Sequence, residues 1–267
     1  MGANLEQIVA ATHRRVNHSR SSADLRALER SATAHEPRGF RNRLQQTARR
    51  GPAIIAELKK ASPSKGLIRS DFRPSELARE LEEAGAAALS VLTDAEFFQG
   101  SLENLRIASE SGGLPCLRKD FIVDAFQVLE ARANRADAIL LIVAALTDSE
   151  LRKLVVAAQE QGLDVLCEAH DEDELQRALD AGCMLVGVNA RNLKTFDVDL
   201  ARLFELAEKF PTGVVAVAES GIRSGSDIVD LRAAGYHAFL VGETLMRADR
   251  PGEALKSLLA GVGVESR

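Results

Sequence analysis

From residue 52 onward, short apolar runs recur about every 20–30 residues. They fall at 53–58, 88–92, 115–118, 137–142, 164–168, 184–189, 213–218 and 238–241, and each reads as a strand. Between them lie segments with helical spacing, at 76–84, 125–134, 149–161, 172–181, 200–209 and 226–234. Several of these stop at a glycine, as at Gly85 and Gly235, the residue that most easily takes the left-handed turn after a helix. Asp148-Ser149 offers an ordinary N-cap for 149–161. Strands alternating with helices predict parallel βα units, and eight of them predict an α/β fold, a (β/α)8 TIM barrel. A doubly wound open sheet is the alternative, but the reactive residues are spread over most strand ends rather than gathered at one switch point. Residues 1–50 read as helical turns broken at Ser21-Ser22 and Pro37-Arg38-Gly39. The expected organisation is an N-terminal helical extension, 1–50, packed on a barrel, 51–267, as a single domain.

A chain of 267 residues suits one such barrel. With no Trp, one Tyr and ten Phe, its core must be aliphatic. The net charge of −5 argues against nucleic acid as the main partner. Residues 1–50 are nevertheless basic, with ten Arg, no Lys and four acids. Leu5, Ile8, Val9, Leu25 and Leu28 interleave with those Arg residues at helical spacing, which favours docked helices over a nucleic-acid arm. Cys116, Cys167 and Cys183 lack paired spacing, so no disulfide framework is expected. Cys116 and Cys167 read as small buried hydrophobes inside strands. No apolar run is long enough to span a membrane and no signal core opens the chain, so a cytoplasmic location is expected.

In a parallel barrel all strand C-termini meet at one mouth, where the chemistry sits. Glu57 and Lys59 end the first strand two residues apart and so share a face. They read either as an acid–amine pair that divides proton transfer or as a salt bridge at a strand end. Lys119 ends the third strand and could be a general acid, a Schiff-base nucleophile or an anion ligand. Arg118 should point to the helix layer, and Asp120 reads as structural. Glu168 ends the fifth strand as a candidate acid or base. Asn189 and Arg191 share a face after the sixth and suit hydroxyls, a carboxylate or a phosphate. Glu219, Ser220 and Gly221 follow the seventh strand, and Gly242 and Glu243 the eighth, the two loops where barrels often bind phosphate through backbone N–H groups. The polar, basic loop 60–66, with Ser62 and Lys65, could close as a lid. Phe97-Phe98 could wall an aromatic ring or pack in the core. The five His residues are scattered; only His170 sits near a strand end, and nothing around it has metal-ligand spacing.

Several segments resemble the indole-3-glycerol phosphate synthase family over nearly the whole chain. They are 55–66 with Lys60-Ala61-Ser62-Pro63-Ser64, 89–101, 117–124 with Lys119-Asp120-Phe121, 187–192, Ala218-Glu219-Ser220-Gly221-Ile222, and Leu240-Val241-Gly242-Glu243. The resemblance implies closure of an anthranilate-derived amino-deoxyribulose 5-phosphate to indole-3-glycerol phosphate, with loss of carbon dioxide and water, in tryptophan biosynthesis. It implies no cofactor and no metal. Lys119 would be the general acid of ring closure, and Glu168 would assist proton transfer and hold that lysine. Glu57 and Lys59 would serve dehydration, with Lys59 also near the substrate's anionic groups, phosphate included. Asn189 and Ser220 would join the catalytic set, with Arg191 and Glu219 on the substrate. Gly221, Gly242 and Glu243 would form the phosphate region. Phe98 and Phe121 would wall the anthranilate ring, with Ser62 near the mouth. The first helices would lie over the barrel mouth. Two positions depart from the family pattern: Ala190, where Asn or Ser is common, and Glu243, which is Ser in some members.

Rival readings are another phosphate-binding barrel, such as phosphoribosylanthranilate isomerase, and a catalytically silent barrel that binds a phosphorylated metabolite. The first would be expected to use Cys and Asp, where these strand ends offer Lys and Glu. The second has no need of Glu57, Lys59, Lys119, Glu168 and Asn189 together. The expected partner is a small phosphorylated substrate, with no nucleic acid and no membrane, and with weak association to other tryptophan-pathway enzymes.

Overall fold

A computed structural model describes residues 4–192 and 197–262. Eight parallel strands close into a barrel: β1 (Ala53–Leu58), β2 (Ala88–Leu92), β3 (Cys116–Lys119), β4 (Ala138–Ile142), β5 (Asp164–Ala169), β6 (Leu185–Asn189), β7 (Val215–Glu219) and β8 (Ala238–Val241). Each lies within two residues of its expected bounds. β1 pairs with β8 from Ala53↔Ala238, and with β2 through Glu57↔Ser90, so no edge is left open. The helix Gly225–Ala234 ends on Gly235 at φ 117, the left-handed cap anticipated from sequence. For the helix Asp148–Glu160 the N-cap is Thr147, one residue earlier than expected, in a capping box with Glu150.

Alternation along the strands sorts the core into two layers. Ala53 and Ile55 of β1, Leu117 of β3, Leu166 of β5, and Val215 and Val217 of β7 fill the barrel. Ile54, Ala56, Cys116, Cys167, Val186 and Phe239 face the helices instead. Continuing the inward set by two residues reaches Glu57 and Lys59, Lys119, Glu168 and Glu219. The same alternation that fills the core therefore places the reactive groups at the C-terminal mouth.

The first helices were expected over that mouth, but only the first of them borders it; together they form a strap that runs from the mouth to the floor. α1 (Leu5–Ser22) borders the mouth through Leu5 and Ile8. α2 (Leu25–Thr33) packs on the helix Ala125–Ala133, with Leu25 left exposed. α3 (Phe40–Ala48) inserts Phe40 and Leu44 among Ala53, Ala138, Leu185 and Val215, at the N-terminal ends of the strands. This plug is bolted at Asp137. Arg38 donates to both of its carboxylate oxygens, His35 Nε2 lies 3.1 Å away, and the Cys116 N–H donates at 2.6 Å. Burial pushes the Asp137 carboxyl up, but His35 and Arg38 outweigh it and hold it below its usual value.

The cysteine expectation needs correction. Cys116 is free and buried, but Cys167 and Cys183 form a disulfide with Cα atoms 6.6 Å apart. A separation of sixteen residues hid a pair that the βαβ crossover brings together. Among the described residues no helix is long and apolar enough to cross a membrane.

Phe40→Ala removes the ring that seals the floor and should lower the unfolding free energy by about 3–5 kcal/mol. Urea titration measures this, and kcat per folded molecule should stay near wild type because the plug lies opposite the mouth.

Candidate active site

The mouth is a cavity of about 750 Å³. At its centre the Lys119 ammonium donates to Glu168 Oε2 and to Glu219 Oε2, each at 2.7 Å. Beside this trio, Lys59 Nζ meets Glu57 Oε1 at 2.6 Å. The first-strand pair is thus both a salt bridge and part of the mouth. Burial opposes the Lys119 charge, but Glu168, Glu219 and Glu57 overcome it and raise its pKa. Burial also works against an ionised Glu168, yet Lys119 and His170 hold its carboxyl well below the usual range. Glu219 goes the other way: burial pushes it up to about 8, with Glu168 adding to the rise and Lys119 opposing it. Two carboxylates on one ammonium cannot both ionise cheaply, and their surroundings separate them, Glu168 pushed down and Glu219 up.

Two glycines make room for these carboxylates. Gly187 faces inward on β6, and a methyl there would overlap Glu219 Oε1. Gly242 follows β8, and a methyl there would overlap Glu57 Oε1. Its lack of a side chain thus leaves room for Glu57, beside the phosphate region expected there. Ser220 sits at φ 68, unusual for a residue with a side chain, and donates to Asn189 Oδ1 at 2.7 Å. The Arg191 N–H donates to the same oxygen at 3.0 Å. The amide and hydroxyl are therefore fixed together. Gly221 follows at φ 81, packed tightly against Val198 and Leu200.

Phe98 and Phe121 lie side by side at the mouth, ring centroids 6.3 Å apart and tilted by 38°. Asp94 accepts from the Phe97 N–H, and Asp120 from the Phe121 N–H and the Thr93 hydroxyl. Arg15 of α1 joins both aspartates, at 2.6 and 3.0 Å. The N-terminal helix thereby fixes the spacing of the aromatic walls. Arg118 points to the helix layer as expected, donating to the Gln127 carbonyl and pairing with Glu130. On the far side Glu243 accepts from Arg247 at 2.9 Å and lies 3.8 Å from Arg191. Ala190 is buried and faces away, as its strand position implies. Ser62 and Lys65 border the mouth from a short antiparallel ribbon, Ala61–Ser62 with Gly66–Leu67, where a plain loop was expected.

Every candidate site residue chosen from the sequence lines this one cavity. Two residues were missed. Arg15 carried no local signal, since its partners lie about 80 and 105 residues away. His170 was weighed only as a metal ligand, yet Glu168 two residues before it and Glu174 four after it both contact its ring. Among the described residues no group of three or more His, Cys, Asp or Glu is placed to hold a metal ion.

A family profile described as indole-3-glycerol phosphate synthase matches residues 5–258. An indole-3-glycerol phosphate synthase of Koribacter versatilis is 58% identical over 259 residues, covering 97% of this chain and 100% of that protein. One of Acinetobacter baumannii is 49% identical over 257 residues, covering 95% and 94%. Among solved structures, a 3-hexulose-6-phosphate synthase superposes with a TM-score of 0.63 at 18% identity, covering 79% of this chain and 100% of that one, which reflects the shared barrel alone. With its barrel, the Lys119 trio and this sequence match over nearly its whole length, the chain belongs to the indole-3-glycerol phosphate synthase family.

Proposed function

We propose that the mouth residues divide the family reaction between two charged clusters. The substrate is 1-(2-carboxyphenylamino)-1-deoxyribulose 5-phosphate. Its ring carbon bearing the carboxylate attacks the ketone carbon, and the ketone oxygen takes a proton. Lys119 is the donor: it is charged, at the cavity centre, and flanked by a protonated Glu219 that can return the proton. The ring iminium formed by the attack accepts the electron pair released as the carboxylate leaves as carbon dioxide. Ionised Glu168 stabilises that cation. Dehydration then removes the new hydroxyl as water and a proton from the neighbouring carbon. The Glu57–Lys59 pair holds an acid and a base 2.6 Å apart for this step.

Binding follows from the same geometry. Phe98 and Phe121 together provide an apolar wall for the anthranilate ring. Asn189 and Ser220 offer a fixed amide and hydroxyl for the substrate's hydroxyls, and Arg191 and Lys59 offer charge to its anions. Phosphate falls to the backbone of the Ser220–Gly221 and Gly242–Glu243 turns, since the Glu243 carboxylate is itself tied to Arg247. The observation that carries this reading is the Lys119 ammonium held between two buried carboxylates.

Incubating purified protein with the substrate in EDTA-containing buffer should produce indole fluorescence. Lys119→Ala should lower kcat by about 10²–10⁴-fold, with a smaller change in KM; near-normal kcat would remove Lys119 from the role of acid. The pH–rate profile should fall on its alkaline side near pH 8, where Glu219 gives up its proton, and Glu219→Gln should erase that limb. Gly187→Ala should fold, because only a carboxylate tip must move, yet turn over at least about tenfold more slowly as Glu219 leaves Lys119.

A further inference from the structure

His170 is buried just beyond the end of β5, outside the set of groups that would touch substrate. Its Nδ1 lies 3.0 Å from Glu174 Oε2, and the same oxygen accepts the His170 N–H at 2.8 Å. Its Nε2 lies 3.4 Å from Glu168 Oε1. That nitrogen has no aligned hydrogen-bond acceptor, so it reaches Glu168 as a charge rather than through a formed hydrogen bond. The other oxygen of Glu168, Oε2, is the one that holds Lys119. One line of contacts therefore runs Glu174, His170, Glu168, Lys119, Glu219, and its first two members have no work in the reaction as described above.

We propose that His170, anchored by Glu174, is a positioning residue that holds the Glu168 carboxylate with one oxygen turned to Lys119. The inference rests on Glu168 and Lys119 being the reacting groups. A carboxylate rotates freely about its last bond unless both oxygens are engaged, and here Lys119 takes one and the imidazole the other. Burial works against a charged ring, but Glu168 and Glu174 outweigh it and raise the His170 pKa to about 9. The ring is thus cationic at neutral pH and helps to keep Glu168 ionised. Other charged groups lie further off: Lys119 from β3 and Glu219 from β7 come after Glu168. The turn Val143–Ala145, packed on β5 and on the helix Glu172–Asp180, presents only apolar residues. Glu174 belongs to that helix, whose N-cap Asp171 accepts the Glu174 N–H, so the anchor sits on a rigid element.

The test compares wild type with His170→Leu, His170→Gln and Glu174→Gln by steady-state kinetics across pH, with melting temperatures alongside. His170→Leu should lower kcat by roughly 10- to 100-fold, the loss typical of removing an orienting partner, with KM within about twofold. The acid limb of its pH profile should move to higher pH, because Glu168 loses a neighbouring cation and becomes easier to protonate. Glu174→Gln should move that limb in the same direction by less. His170→Gln, whose neutral amide can reach Glu168 but brings no charge, should recover part of kcat without restoring the limb. If His170→Leu fails to fold, the limb shift in Glu174→Gln decides alone. Unchanged kcat, or an acid limb that stays in place in folded variants, overturns the proposal. Running Glu168→Gln and Lys119→Ala in parallel separates the two levels. Loss of turnover there with none at His170 sinks only the positioning role, whereas normal turnover there sinks the assignment of the trio itself.

Discussion

An ammonium group removed from bulk water costs several kcal/mol unless its charge is met, and Lys119 stands where strand alternation allows nothing but an inward direction. Two carboxylates at 2.7 Å meet that charge. They bring a second problem, since two anions sharing one site repel. Their surroundings separate the two, lowering Glu168 through Lys119 and His170 and raising Glu219 through burial. Much else follows from accommodating this trio. β6 gives up a side chain at Gly187 so that Glu219 can fit, and a histidine is buried beside Glu168 with a carboxylate of its own for company. One buried charge thus sets the residues facing it on β3, β5, β6 and β7.

The floor of the barrel applies the same electrostatics to a different end. Asp137 is as buried as Glu168 and is also met by cations, Arg38 and His35. It differs in spending its oxygens on protein donors: Arg38 takes both, and the N–H groups of Cys116 and Arg38 add to them. Glu219 Oε1, by contrast, has no hydrogen-bond partner. Asp137 is fully satisfied, whereas Glu219 keeps a buried oxygen against Gly187 with unused capacity.

The strands were legible because each is a short apolar run, and the mouth residues because each stands at or just past the end of such a run. Glu57, Lys119, Glu168, Asn189 and Glu219 needed only the rule that barrel strands end at one face. Placement of the strap was not legible. Its Arg residues read as a basic surface because partners for Arg15 and Arg38 lie far along the chain, and no local period marks a contact between α3 and the starts of β1 and β7. The Cys167–Cys183 disulfide was missed for a related reason, since one sulfur lies within a strand and the other just ahead of the next, joined only by the crossover. The space that Gly242 leaves beside Glu57 was not legible either, because Glu57 lies on the first strand and Gly242 follows the last.

The pairing of β1 with β8 has a consequence for how the chain is made. On a ribosome the strap and β1 emerge first, yet both must wait. One flank of β1 has no partner until Ala238–Val241 is synthesised, and Phe40 has no complete ring of strand ends to plug until the same moment. Until then the nascent chain carries an open parallel edge and an uncovered apolar floor, the two features that most invite association with other chains. Closing the circle joins nearly the most distant strands in sequence, so the step that removes both hazards is also the one with the largest loop to close and is expected to come late.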